Sequence, residues 1–219
     1  MTQLLLHFSY AVGLVVFLSV IGMHLTRKNT ACVLFYIFQS LAVALLLFVP
    51  ALDKGSILLM LAALLTLIIK VILAPFFFLR LINRHELTFS ANTYLSLPLT
   101  LIVLALLFGL AYQNIFQSLL IFAGENMNVV PLALATIFSS IFLIINRRGA
   151  LSQIIGILSL ENGIVALTSF LKVEQVPGLD IGISFDIAVW VIIAVLFLSM
   201  IYKKFGTLDV STLKELKEE

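Results

Sequence analysis

From Ile57 to Leu79 the chain reads ILLMLAALLTLIIKVILAPFFFL, in which Thr66 and Lys70 alone carry a hydroxyl or a charge. As a helix this stretch reaches about 35 Å, enough to cross a hydrocarbon core of about 30 Å. In lipid every backbone N–H and C=O must find its partner inside the segment, which selects a helix over an isolated strand. The period-2 alternation of a membrane barrel is absent.

Six further runs read the same way, at about 4–25, 31–50, 94–112, 129–146, 150–171 and 183–202. The whole chain of 219 residues is 62% hydrophobic and only 11% charged. A water-soluble domain carries about 25% charged residues, so the solvent for most of this chain is lipid. The sequence therefore predicts an all-α polytopic membrane protein of about seven transmembrane helices. The first run follows only Met1-Thr2-Gln3, without the positive start of a signal peptide, and is expected to stay as a permanent helix.

Threading the spans alternately sorts the charges. Arg27, Lys28, Arg80, Arg84, Arg147, Arg148, Lys203, Lys204, Lys214 and Lys217 fall on one side; Lys54 and Lys172 fall on the other. The positive-inside rule then puts the N-terminus outside and the C-terminus in the cytoplasm of a cell whose inner membrane holds the protein. The expected organisation is a four-helix part over 1–112, an outer-side connection over 113–128, a three-helix part over 129–204 and a cytoplasmic tail over 205–219. The connection is apolar from Ile115 to Ala123 but flanked by amides and Glu125, so it either extends the fourth helix or lies at the interface. In the tail, Thr212 and Glu215 have capping-box spacing, suited to a short docking helix or a solvated end.

One cysteine, Cys32, excludes an internal disulfide and a Cys-rich metal centre. The net charge of +2 gives no reason to expect nucleic acid as a partner. There is no phosphate loop, no nucleophile–base arrangement and no HExxH, so neither a catalytic site of its own nor a cofactor is expected. His7, His24 and His85 share no metal-ligand spacing and read as interface residues. Gln39 and Gln153 read as glue between helices.

The informative residues are ionisable groups at membrane depth, which cost about 2.5–3.5 kcal/mol each without a partner or a function. Glu161 lies near the centre of the sixth span, too deep to reach water. Lys70 lies near the centre of the third, five residues before Pro75, whose missing N–H leaves a carbonyl free and predicts a kink beside the ammonium. Asp186 sits about one turn inside the seventh span. Either a buried pair that only joins helices or a proton-exchange site fits these residues; the second makes Glu161, Lys70 and Asp186 a proton relay. Thr168 shares the stripe of Glu161, whereas Gly156 and Gly163 on the other stripe allow a close neighbour.

The run Asn146-Arg147-Arg148-Gly149-Ala150-Leu151-Ser152-Gln153-Ile154-Ile155-Gly156-Ile157-Leu158-Ser159-Leu160-Glu161-Asn162-Gly163-Ile164 resembles component E of hydrogenase-4, a relative of formate hydrogenlyase. The similarity extends over the whole chain, including the Lys70 and Pro75 helix. From about residue 129 onward the chain is also similar to subunit K of respiratory complex I and to the small subunit of multisubunit Na+/H+ antiporters. The shared pattern is a hairpin with paired arginines, a membrane helix with a glycine and an acid, a last helix and a cytoplasmic tail, here Leu208-Asp209-Val210. In the subunit-K relatives the acid follows the glycine by two residues, where this chain has Leu158; here it is Glu161, nearly one turn farther on the same face. The family's second acid has Asp186 as its nearest counterpart.

The resemblance implies a non-catalytic membrane subunit of a redox-driven, ion-translocating complex, an accessory to an oxidoreductase. Its partners would be antiporter-like subunits and a hydrogenase or quinone-module anchor within the lipid bilayer, and its ion a proton or sodium. The alternatives are a subunit of a multisubunit Na+/H+ antiporter, a structural spacer, and a stand-alone transporter, against which no inverted repeat is visible.

Overall fold

The structure is a computed structural model, and it describes residues 2–87, 93–171 and 177–209. All its regular elements there are helical. Among the described residues six helices are long and apolar enough to cross a membrane, and a bent pair makes a seventh crossing if counted as one span. The protein is an all-α, multi-pass membrane protein. The capping-box pair Thr212 and Glu215 lies outside the described residues.

Helix α1 (Thr2–Leu25) and α2 (Asn29–Lys54) form an antiparallel hairpin. Helix α2 stops at Gly55, whose φ of +60° is the left-handed cap that glycine adopts without a Cβ penalty. Ser56 then starts the next span by accepting a hydrogen bond from the Leu59 N–H at 3.4 Å.

At the expected irregularity beside Lys70 and Pro75 that span widens into a π turn. It runs as α3 (Ile57–Thr66), a π-helical stretch (Leu67–Leu73) and α4 (Ala74–Arg84). The N–H of Ala74 bonds to the carbonyl of Ile69, five residues back. Pro75 offers no donor and its ring crowds the carbonyl one turn earlier, and the wider π turn absorbs both defects. The extra residue per turn brings Ile69 and Lys70 inside while Ile68 and Ile72 stay exposed.

The fourth crossing is different from the expected span. Helix α5 (Leu97–Ala111) is about 22 Å long, short of a full bilayer. A 3-10 turn (Asn114–Phe116) and α6 (Gln117–Ala123) continue it at a bend of 46°. The amides Gln113 and Asn114 at the break explain why an apolar run there does not remain straight.

Helices α7 (Val130–Asn146) and α8 (Ala150–Phe170) form the tightest pair. Gly156 and Gly163 face α7 as the stripe predicts. A Cβ on Gly156 would lie 2.8 Å from Ile144, and one on Gly163 3.0 Å from Ile137, so glycine sets the approach. Helix α9 (Pro177–Phe205) packs along α3 and α4, and among its described side chains only Val191, Ala194 and Leu198 are buried.

One end of the bundle collects the basic residues. Asn29 donates to the Leu87 carbonyl at 2.8 Å, and the Tyr94 N–H to the Asn146 carbonyl at 2.9 Å. The Ala150 N–H bonds to the Leu208 carbonyl at 3.0 Å. These ties bring Arg27, Lys28, Arg84, Arg147, Arg148, Lys203 and Lys204 to the same end.

The core is split. Nearer the basic end, Val20, Met23, Tyr36, Phe78, Leu143 and Leu158 belong to one apolar cluster. Val16, Val43, Ala135 and Ala166 belong to a second. Between them the four central helices each contribute polar groups, and Lys70 joins them.

Candidate functional site

The polar layer is built from short side chains at matching depth. Ser19 comes from α1, Gln39 and Ser40 from α2, Ser139 and Ser140 from α7, and Ser159 and Asn162 from α8, all buried. A buried polar group needs a hydrogen bond to offset its desolvation. Ser19 bonds to the Val15 carbonyl at 2.7 Å, and the hydroxyls of Ser140 and Ser159 lie 2.8 Å apart, joining α7 to α8.

Lys70 and Glu161 meet in this layer. The Lys70 ammonium forms an ion pair with Oε2 of Glu161, and it donates a second hydrogen bond, of 3.0 Å, to Oδ1 of Asn162. The side chain of Lys70 is 2% exposed and that of Glu161 22%, so the amine is enclosed and the carboxylate lies at the margin of the bundle. On α8 the neighbours of Glu161 on that margin, Ile157 and Ile164, are exposed. Thr168 is exposed too, and its hydroxyl is turned back to the Val165 carbonyl at 3.0 Å.

Asn162 is oriented from behind. Its amide nitrogen donates to Ser40 Oγ at 2.9 Å and to Gln39 Oε1 at 3.4 Å, which leaves Oδ1 for the lysine. Gln39 is anchored in turn to the Val16 carbonyl at 3.2 Å, so the reading of this residue as glue between helices is met between α1 and α2. A lysine in low-dielectric surroundings is tolerable only with such close acceptors. The arrangement can hold a charged pair, and it can hold the ammonium by Asn162 while the carboxyl is neutral.

Asp186 lies in α9, but its side chain lies outside the described residues. The structure therefore unites two of the three residues singled out from the sequence. It adds Asn162, Ser40 and the orientation of Gln39. The signal for Asn162 was its place beside Glu161; for Ser40, that it lies as far along its span as the ionisable groups along theirs.

One reading is corrected. Gln153 does not bridge helices: its amide donates to the Arg147 carbonyl at 2.8 Å and closes the α7–α8 turn. His24, in the last turn of α1, is buried against protein, with Nε2 2.9 Å from the Ser139 carbonyl and its ring stacked on Phe142. The turn that follows α7 explains why. Arg147 is 2% exposed and donates through Nη2 to the carbonyls of Met23, His24 and Thr26 at 2.5, 3.1 and 2.6 Å. These are the unpaired carbonyls and the negative dipole end of α1, for which a guanidinium is a suitable cap. Arg148 instead lies over the Tyr94 ring, 4.7 Å from its centroid.

At the same end His85 lies 3.2 Å from Ser199 Oγ and 4.5 Å from the Tyr202 ring centroid. Desolvation, then the charges of Arg84 and Lys203, hold its imidazole below the ordinary histidine value. Among the described residues no group of three or more His, Cys, Asp and Glu side chains could hold a metal ion.

No protein-family model and no solved structure matches the chain. It is similar to an uncharacterized protein of Mycobacterium tuberculosis, with 35% identity over 96 residues. The match spans 43% of this chain and 43% of that relative, less than half the length of either.

Proposed function

We propose that this protein is a non-catalytic membrane subunit of a redox-driven ion-translocating complex, of the kind represented by hydrogenase-4 and complex I, and that Glu161 and Lys70 take part in proton transfer. The single observation that carries the reading is the enclosed Lys70 ammonium shared between Glu161 and Asn162 beside a π-helical turn. Here a second acceptor is held ready by Ser40 and Gln39, which keeps the amine in place when the carboxylate is neutralised.

In this reading a proton reaches Glu161 from its open side, Lys70 stays protonated on Asn162, and loss of the proton restores the pair. Turnover elsewhere in the complex biases the exchange by changing the field at the two charges. Asp186 serves as a further acid on α9. The basic end of the bundle faces the cytoplasm, with the N-terminus outside, in the inner membrane. Antiporter-like subunits and a hydrogenase or quinone-module anchor are the partners.

The test is Glu161→Gln in the assembled complex in sealed membrane vesicles, with electron transfer and proton uptake measured side by side. The expected result is normal assembly and electron transfer with proton uptake lost. Undiminished uptake per electron would remove Glu161 from the path. Repeating the assay with sodium and a protonophore identifies the ion.

A further inference from the structure

We infer that the cleft along α4 at the basic end binds the head group of an anionic phospholipid. The cleft has a volume of about 690 Å³ and is lined by Phe76, Leu79, Arg80, Asn83 and Arg84. Arg80 and Arg84 are four residues apart, so both guanidinium groups stand on one face of the helix. Both are exposed, and among the described residues neither is in an ion pair. Two planar forks side by side suit the oxygens of a phosphodiester, with the Asn83 amide as a further donor.

The walls change character with depth. Phe76, one turn before Arg80, is 56% exposed. Leu79 also borders a second cavity of about 300 Å³, lined on α2 by Thr30, Ala31, Val33, Leu34 and Ile37. From Thr30 to Ile37 this track descends about 10 Å from the basic end toward the bilayer centre. Cationic groups at the rim and an apolar furrow running inward reproduce the order of head group and acyl chain. A free phosphate ion would leave the furrow unused. The site is independent of proton transfer at Glu161, which lies deeper in the bundle.

The experiment uses the full chain in a neutral detergent, with dioleoyl phosphatidylglycerol or dioleoyl phosphatidylcholine added. Native mass spectrometry reads the bound lipid, and thermal unfolding reads the midpoint. Phosphatidylglycerol is expected to be retained in preference and to raise the midpoint more. Arg80→Gln with Arg84→Gln should lower its affinity about fivefold per guanidinium, the strength of one basic side chain at an anionic lipid surface. Lys203→Gln with Lys204→Gln, the same charge change at the same end, should leave the preference intact. The inference is overturned if the arginine variant retains phosphatidylglycerol like the parent, if the lysine variant loses it equally, or if inorganic phosphate alone gives the same rise.

Discussion

Lys70 holds Asn162 at 3.0 Å from the same nitrogen that pairs with Glu161, although the two partners of the lysine lie on a helix more than 90 positions away in the chain. The amine therefore has a neutral acceptor and a charged one, and each can be removed separately.

Removing one charge of an enclosed pair strands the other. Lys70→Met alone should cost about 3–5 kcal/mol, whereas Lys70→Met combined with Glu161→Met should recover most of that loss. Denaturant unfolding in mixed micelles measures both. If the pair were only a crosslink, the double variant would also recover ion transport; the proposed function requires that it does not.

Asn162→Leu leaves Ser40 and Gln39 facing an apolar group and should cost about 1–3 kcal/mol. The informative comparison is Asn162→Asp, which gives Lys70 a second carboxylate. Proton uptake should become slower, because the amine no longer releases its first partner easily. An unchanged rate would mean that Asn162 only fills space.

Pro75→Ala returns the missing donor and lets the π turn close into a regular α-helix. Because a regular helix turns Lys70 away from Glu161, the variant should lose the enclosed pair and with it stability. It should also lose transport. A stable variant with full transport would show that the π turn is incidental.

Arg147→Gln forfeits three bonds to the end of α1 and should destabilise the protein by about 3 kcal/mol or more, on the scale of hydrogen bonds to charged groups. Arg148→Gln loses a contact with one ring, about 0.5–1 kcal/mol. Equal effects from the two substitutions would contradict the buried cap.

His85 gives a pH dependence of definite sign. Its pKa is lower in the folded protein than the ordinary 6.5, so the unfolded chain binds the proton more readily. Its contribution to stability is present above pH 6.5 and fades as the pH falls through the folded value. His85→Gln should flatten that decline in a plot of unfolding midpoint against pH.

The spans were legible because about twenty apolar residues in lipid have one backbone solution. The meeting of Lys70 with Glu161 was legible in kind, since an isolated charge at that depth is too costly to leave alone. The π turn was not, because proline announces a defect without saying how the helix absorbs it. Nor was the polar layer, as isolated serines in apolar helices carry almost no signal until five of them lie at the same depth. Paired arginines marked the basic end, but only packing separates Arg147, buried against α1, from Arg148 on a tyrosine.

The bond from Ala150 to Leu208 and the bridge between Gly149 and Asp209 clamp the exit of α9 to the first residue of α8. Glu161 rides on that same rod, eleven residues along. A pull on the chain just past the clamp therefore acts on the start of the helix that carries the acid, so that a handle at the rim becomes a mechanical address for the centre.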